Sequence, residues 1–146
     1  VRRVNGMKGI HLIAPFGDIK KIENSFRETM QLVERHELKK DESVLMCGIL
    51  NPHQGYVYKT FISIDGNEQI PEKLFTTEIA SAKCATIKIK GSFNNTVEAA
   101  KYFFHDWLPG SGYRISNNLL FEIFFKDPTK GYDKTERELC IPIELN

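Results

Sequence analysis

With 146 residues, a net charge of +1, 41% hydrophobic and 27% charged side chains, the chain has the size and balance of one globular domain with a sizeable core. Lys and Arg are interleaved with Asp and Glu, so no face for direct nucleic-acid binding is written into it, and no apolar run reaches the roughly 18 residues of a membrane span. The start, Val1-Arg2-Arg3-Val4-Asn5-Gly6, lacks the apolar stretch of a signal peptide, and the expectation is a cytoplasmic protein.

Cys47, Cys84 and Cys140 are odd in number, widely spaced and set in apolar stretches. They read as small core residues of a protein kept in a reducing compartment. The chain begins with Val1 rather than Met; Met7 is a candidate native start, and a domain upstream of Val1 is compatible with that beginning.

In chain order, Gly9 to Ala14 reads as a short strand, broken by Pro15-Phe16-Gly17-Asp18, where Asp18 can cap a helix. Ile22, Phe26, Met30 and Val33 then form one apolar stripe of a helix from Ile19 to His36. A polar turn, Lys39-Lys40-Asp41-Glu42, leads into an apolar strand from Val44 to Leu50, closed by Asn51-Pro52. His53-Gln54-Gly55 turns the chain, and Tyr56 to Ile64 is a strand ending at Asp65-Gly66-Asn67. A looser segment runs from Pro71 to Ser81.

The same order then repeats. Ala85, Ile87 and Ile89 alternate in a strand ending at Gly91-Ser92. A helix follows, capped from Asn94, Asn95 or Thr96, with Val97, Ala100, Phe104, Trp107 and Leu108 as its stripe and Pro109-Gly110 as its stop. Leu119 to Phe125 and Glu136 to Leu145 are the last strands, with Lys126-Asp127-Pro128 between them. Residues 8–65 and 84–145 thus read as two β-α-β-β repeats of a single α+β domain covering 1–146. Ile13-Ala14-Pro15-Phe16-Gly17-Asp18 parallels Ile89-Lys90-Gly91-Ser92-Phe93-Asn94, which suggests an internal duplication.

Chemistry concentrates on the strand Leu120-Phe121-Glu122-Ile123-Phe124-Phe125. Alternation places Phe121, Ile123 and Phe125 on one face, assigned to the helices, and Leu120, Glu122 and Phe124 on the other. A carboxylate between Leu and Phe is costly to bury unless it is paired or neutralised. One reading is an acidic, aromatic groove that takes a cation, the ring faces adding cation–π attraction. The other is a cross-strand pair with Lys88 or a second strand lysine, worth up to about 1 kcal/mol. Alternation alone does not choose between them.

Trp107-Leu108-Pro109-Gly110-Ser111-Gly112-Tyr113, Phe121-Glu122-Ile123-Phe124, Asp127-Pro128 and Ile141-Pro142-Ile143, with Leu74-Phe75-Thr76-Thr77-Glu78-Ile79 ahead of them, occur in the order that marks one family. The chain resembles the gyrase-inhibitor-like (GyrI-like) small-molecule-binding domains, which also serve as effector-binding domains of AraC-type and MerR-type regulators. The likeness is strongest from Leu74 to Ile143 and rests on pattern alone from Gly9 to Asp65.

The resemblance implies two β-α-β-β halves about a pseudo-two-fold axis. It implies antiparallel sheets with helices on one side and, on the other, a cleft for lipophilic, often cationic compounds. The family's central glutamate falls on Glu122, its aromatic partner on Phe124, and its tryptophan and following tyrosine on Trp107 and Tyr113. Phe124 stands where the family often has tyrosine, so a phenolic hydroxyl is missing there. Leu120 and Tyr58 complete the expected ligand-binding walls, with Tyr56 a further candidate from the same strand. Trp107 is equally readable as core and Tyr113 as a residue that shapes its loop.

The main functional expectation is a drug- or metabolite-binding module that acts as an effector or sequestering domain. A regulator, a DNA-binding partner or an upstream domain would receive its signal, since no helix-turn-helix is visible. A hydrolase of reactive electrophiles is the alternative, with Glu122 as general base and Tyr113 as the proton donor. A protein-interaction module of the gyrase-inhibitor type is a third. His11, His36, His53 and His105 lack metal-ligand spacing and read as structural or surface residues, and neither a metal nor a cofactor is expected.

Overall fold

The computed structural model describes residues 1–41, 47–51, 57–116 and 119–146. The turn expected at His53-Gln54-Gly55, the candidate Tyr56 and the first residues of the strand expected from Val44 lie outside the described residues. The described residues form nine strands and two α-helices. Two strands, β1 (Arg2–Val4) and β2 (Met7–Pro15), lead into α1 (Ile19–Arg35). Next come β3 (Cys47–Asn51), β4 (Val57–Ile64), β5 (Thr76–Ile79) and β6 (Ala82–Ile89). After α2 (Phe93–Tyr102) follow β7 (Tyr113–Ile115), β8 (Leu120–Phe124) and β9 (Arg137–Leu145).

All the strand pairings are antiparallel, in the order β1-β6-β9-β8-β3-β4-β2-β5, with β7 added to the end of β9. The order reads the same outward from the central β3–β8 pair. On one side lie β3, β4 and β2; on the other lie β8, β9 and β6. Each half carries one helix on its chain between the outer strand and the central one, as the β-α-β-β reading expects.

Chain connectivity forces this sheet to curl. β1 and β2 stand six places apart in the order, about 29 Å in a flat sheet at the usual strand spacing. Asn5-Gly6 alone joins them, and such a link spans at most about 11 Å from Val4 to Met7. The link Ala80-Ser81 imposes the same condition between β5 and β6. The two links touch: a side chain at Gly6 would place its Cβ 3.0 Å from the Ser81 nitrogen and 3.1 Å from the Ile79 oxygen.

Curling buries both faces. One carries α1 and α2, whose Ile22, Phe26, Val33 and Phe93, with Phe103 just past the end of α2, pack with Ile10, Tyr58, Ile62, Leu120, Phe124, Leu139 and Ile141 of the sheet. The helix-free face closes on Val4, Met7, Cys47, Ile49, Phe61, Ile79, Cys84, Phe121, Ile123 and Cys140, drawn from both ends of the strand order.

This reverses one expectation. Leu120, Glu122 and Phe124 do share a face, but it is the face toward the helices, while Phe121 and Ile123 point away and Phe125 is exposed. A cleft on the side opposite the helices is therefore ruled out where those ten residues fill it. Composition could not distinguish the faces of β8, because a curled sheet makes both apolar.

Asp18 caps α1, its carboxylate accepting the Lys21 N–H at 3.2 Å. The stripe of α2 differs from the expected one. Its buried residues are Phe93 and Thr96, followed by Phe103, whereas Val97, Ala100, Phe104, Trp107 and Leu108 are only partly buried. Thr96 looks polar in sequence, which displaced the expected stripe by one position. Residues Phe103–Trp107 then widen into a π-helical turn before a 3-10 turn at Leu108–Gly110. The looser segment expected from Pro71 to Ser81 contains β5, and two short 3-10 turns, Pro128–Lys130 and Tyr132–Lys134, fill the connection from β8 to β9.

Candidate functional site

Glu122 has no solvent exposure and lies at the middle of β8, beside Gly48 of β3. That neighbour has to be glycine: a Cβ there would stand 1.6 Å from the Tyr58 hydroxyl. Through the space so left, Tyr58 of β4 donates its hydroxyl to Glu122 Oε2 at 2.7 Å. Oε1 takes the rest. Thr96 of α2 and Tyr132 each donate a hydroxyl at 2.6 Å, and Arg137 Nε lies 3.3 Å away.

Arg137, the first residue of β9, is also wholly buried. Its Nε also donates to Thr96 Oγ1 at 3.0 Å. Nη1 donates to the Gly91 carbonyl at 2.9 Å and Nη2 to the Ser92 carbonyl at 2.8 Å, both just ahead of α2. The guanidinium carbon stands 4.2 Å from the Tyr132 ring centroid, a cation–π contact. The partner of Glu122 is thus Arg137, and the alternative of a Lys88 pair is set aside: Lys88 extends over the Phe125 ring instead.

Burial raises the Tyr58 phenol well above the usual tyrosine range, and the charge of Glu122 raises it further. The Tyr132 phenol is raised by the same two causes, with Arg137 opposing. Both therefore stay protonated and remain donors to the carboxylate at any ordinary pH.

Five aromatic rings, Tyr58 and Tyr132 of this network among them, form a closed circuit of contacts. The centroid distances are 5.7 Å for Phe93–Tyr132, 5.8 Å for Tyr132–Phe124 and 5.4 Å for Phe124–Phe26. Phe26–Tyr58 at 6.1 Å and Tyr58–Phe93 at 6.2 Å complete it. α1 supplies Phe26 and α2 supplies Phe93, so the circuit bridges the two helices over the sheet. Phe16, 40% exposed in the loop before α1, sets its edge against Phe93 at 5.0 Å.

The residues expected at the site divide into two groups. Glu122, Phe124, Tyr58 and Leu120 come together in the core under the helices. Trp107 and Tyr113 stack on each other at 6.0 Å, and Trp107 stacks on Phe103 at 5.4 Å, in a separate run of rings among the described residues. Lys83 lies over the Tyr113 ring. Tyr113 is thus not the phenol on Glu122; that place belongs to Tyr58 and Tyr132.

Sequence reading missed Tyr132, Arg137, Thr96, Phe26 and Phe93 as site residues. Arg137 had a signal: it shares the alternation of Leu139, Ile141 and Ile143 on an apolar strand, where a cation demands a buried partner. Tyr132 had none, since it lies in an irregular connection.

Outside this network, the three cysteines are free and buried in the helix-free cluster, as their composition suggested, and burial raises all three thiols, Cys84 to about 11. His11 is buried and shares a 2.6 Å hydrogen bond with Thr77. Among the described residues no three His, Cys, Asp or Glu side chains gather as a metal site, and no helix is long and apolar enough to cross a membrane.

Comparison with known proteins agrees with this architecture. The C-terminal domain of EcmrR superposes with a TM-score of 0.72 at 11% identity, covering 99% of this chain and 96% of that one. EcmrR in its complex with DNA superposes at 0.70 and 13%, with 99% of this chain matching 56% of the longer one. SAV2435 bound to tetraphenylphosphonium gives 0.55 at 14% identity over 98% and 92% of the two chains. A hydrolase encoded by lin2189 of Listeria innocua gives 0.60 at 12% over 98% and 91%. At these identities the likeness is one of fold. The sequence model of the GyrI-like small molecule binding domain matches residues 7–144, nearly the whole chain. The chain belongs to the GyrI-like family of small-molecule-binding domains.

Proposed function

We propose that the chain binds a small lipophilic organic compound carrying a positive charge, between α1 and α2, with Glu122 as its counter-charge. The observation that carries this reading is a fully buried carboxylate bonded to two members of a closed circuit of five aromatic rings. Rings supply a large apolar contact and cation–π attraction, and the carboxylate supplies sign selectivity. Oε2 accepts a single hydroxyl among the described residues, against three donors on Oε1, so it is the oxygen with acceptor capacity left for a ligand.

In the present conformation the rings occupy the space themselves. Binding then requires Phe93 and Phe16 to move away from Phe26 and Tyr58, so that α1 and α2 part over the sheet. That motion is the change an attached or docked regulator would sense, and the same capture would let a stand-alone domain sequester toxic compounds. The tetraphenylphosphonium complex of SAV2435 supports the ligand class, and the match to part of EcmrR in its complex with DNA supports a link to a DNA-binding regulator. Trp107 and Tyr113 belong to the wall at the far end of α2 in this reading, reached by a larger ligand rather than by the charge itself.

The test is calorimetric titration with tetraphenylphosphonium and with uncharged triphenylphosphine oxide. Glu122→Gln should weaken the cation by about tenfold or more and leave the neutral compound nearly unchanged. Equal weakening of both would remove the counter-charge role. Retained binding with loss of turnover of a reactive electrophile would instead make Glu122 a general base, with Tyr58 or Tyr132 rather than Tyr113 as the phenol beside it.

A further inference from the structure

The site that faces the ligand is not simply acidic. Glu122 and Arg137 are both fully buried and both touch Tyr132, so their formal charges cancel beside the aromatic circuit. Yet the pair is loosely made. The only contact between them is one Nε at 3.3 Å, and that nitrogen is shared with Thr96 at the shorter distance of 3.0 Å. Both Nη groups turn away to the Gly91 and Ser92 carbonyls. Arg137 thus has a second set of acceptors that keep it in place when Glu122 is engaged elsewhere. Its guanidinium also lies on the Tyr132 ring, the kind of surface on which a lipophilic cation would lie.

We propose that Arg137 is the resident cation of this site: a ligand's positive charge takes over its place against Glu122, and Arg137 thereby sets how strongly the site prefers cations to neutral compounds. This rests on the reading that ligands reach Glu122. An arriving cation meets a carboxylate already balanced and a like charge beside it. At an effective dielectric constant of about 20 and a separation of about 6 Å, that opposition is worth on the order of a hundredfold in affinity. The preference for cations is accordingly modest in the native chain and becomes strong once the guanidinium is removed.

A second consequence concerns α2. Ser92 provides no side-chain cap for that helix, and the carbonyls of Gly91 and Ser92 accept from Arg137. Phe93, the first residue of α2, is a member of the circuit. A cation that takes Glu122 from Arg137 leaves the guanidinium held by Thr96 and by the carbonyls just ahead of Phe93.

The experiment compares native protein, Glu122→Gln, Arg137→Gln and Arg137→Lys by titration with tetraphenylphosphonium and with triphenylphosphine oxide. Arg137→Gln should bind the cation ten- to a hundredfold more tightly relative to the neutral compound. Arg137→Lys, which keeps the charge and loses the fork, should keep the native ratio. An unchanged ratio in Arg137→Gln, with Glu122→Gln still cation-blind, overturns this inference and leaves the proposed function standing. Failure of all four proteins to bind either probe overturns both. Where Arg137→Gln is too unstable to titrate, its thermal midpoint should rise with the cation by more than that of the native protein, and not with the neutral probe. A variant that remains unfolded at saturating cation shows that a ligand cannot stand in for the arginine, and overturns the inference.

Discussion

The two halves of the sheet have the same strand order, yet they join helix to sheet by different chemistry. Under α1 the link is neutral. The Ser25 and Thr60 hydroxyls meet at 2.6 Å, Thr29 donates to the Ser25 carbonyl at 2.7 Å, and Thr60 donates to the Leu12 carbonyl at 3.2 Å. Under α2 the link is charged, running from Thr96 through Glu122 to Arg137 and on to the backbone at Gly91 and Ser92. A hydroxyl network satisfied by its neighbours is a structural joint. A buried ion pair with a long contact and a carboxylate oxygen holding one donor is, in the reading proposed above, a joint that can be exchanged. The charged pair thus lies in one half of the sheet, and the other half contributes Tyr58 and Phe26 to the rings beside it.

The comparison can be broken most severely at Arg137. Arg137→Met leaves Glu122 buried without its cation and should cost about 3–5 kcal/mol in urea denaturation. Next is Gly48→Ala, whose methyl group collides with the Tyr58 hydroxyl; overpacking here should cost roughly 2 kcal/mol and weaken ligand binding as Tyr58 leaves Glu122. Thr96→Val and Thr60→Val sharpen the contrast directly. The first removes a hydrogen bond to a charged group and should cost about 2 kcal/mol with a change in cation affinity. The second should cost about 1 kcal/mol with none.

Helix capping gives a smaller contrast of the same kind. Asp18→Ala removes the side-chain cap of α1 and should cost about 1 kcal/mol. Ser92→Ala removes no such bond and should stay within about 0.5 kcal/mol.

A separate contrast is a pH dependence. Burial, with Lys59 nearby, lowers His11 from the usual 6.5 to about 4. Between those values the unfolded chain holds the proton and the folded chain does not, so stability should fall as pH drops through that window. Thermal melts of His11→Gln across the same range should show a shallower slope, and an identical slope would assign the loss to other groups.

Much of this was readable from the sequence. The strands at β2, β4, β6, β8 and β9 and the body of α1 followed from alternation and the 3.6-residue stripe, because each segment has one dominant apolar pattern. Glu122 was found because a carboxylate interrupts such a pattern. The edge strands β1, β5 and β7 were missed since three or four residues carry too little pattern. Which face of β8 met the helices was also illegible: curling is a consequence of two short links and not of any local composition. Arg137 and Tyr132 approach Glu122 only through the tertiary arrangement of β9 and the turn before it, although the alternation of β9 pointed at the arginine.

The crossed links at Gly6 and Ser81 also bear on how the chain can come apart. β1 leaves its own half and pairs with β6, some eighty residues on, while β5 leaves the second half's side of the order and pairs with β2. Each half thus completes the sheet of the other, as two clasped hands do. A nick in the connection between Ile64 and Thr76 would yield two fragments, neither able to fill its edge alone. They should remain associated and melt in one transition, so that the halves form a single cooperative unit despite their matching topology.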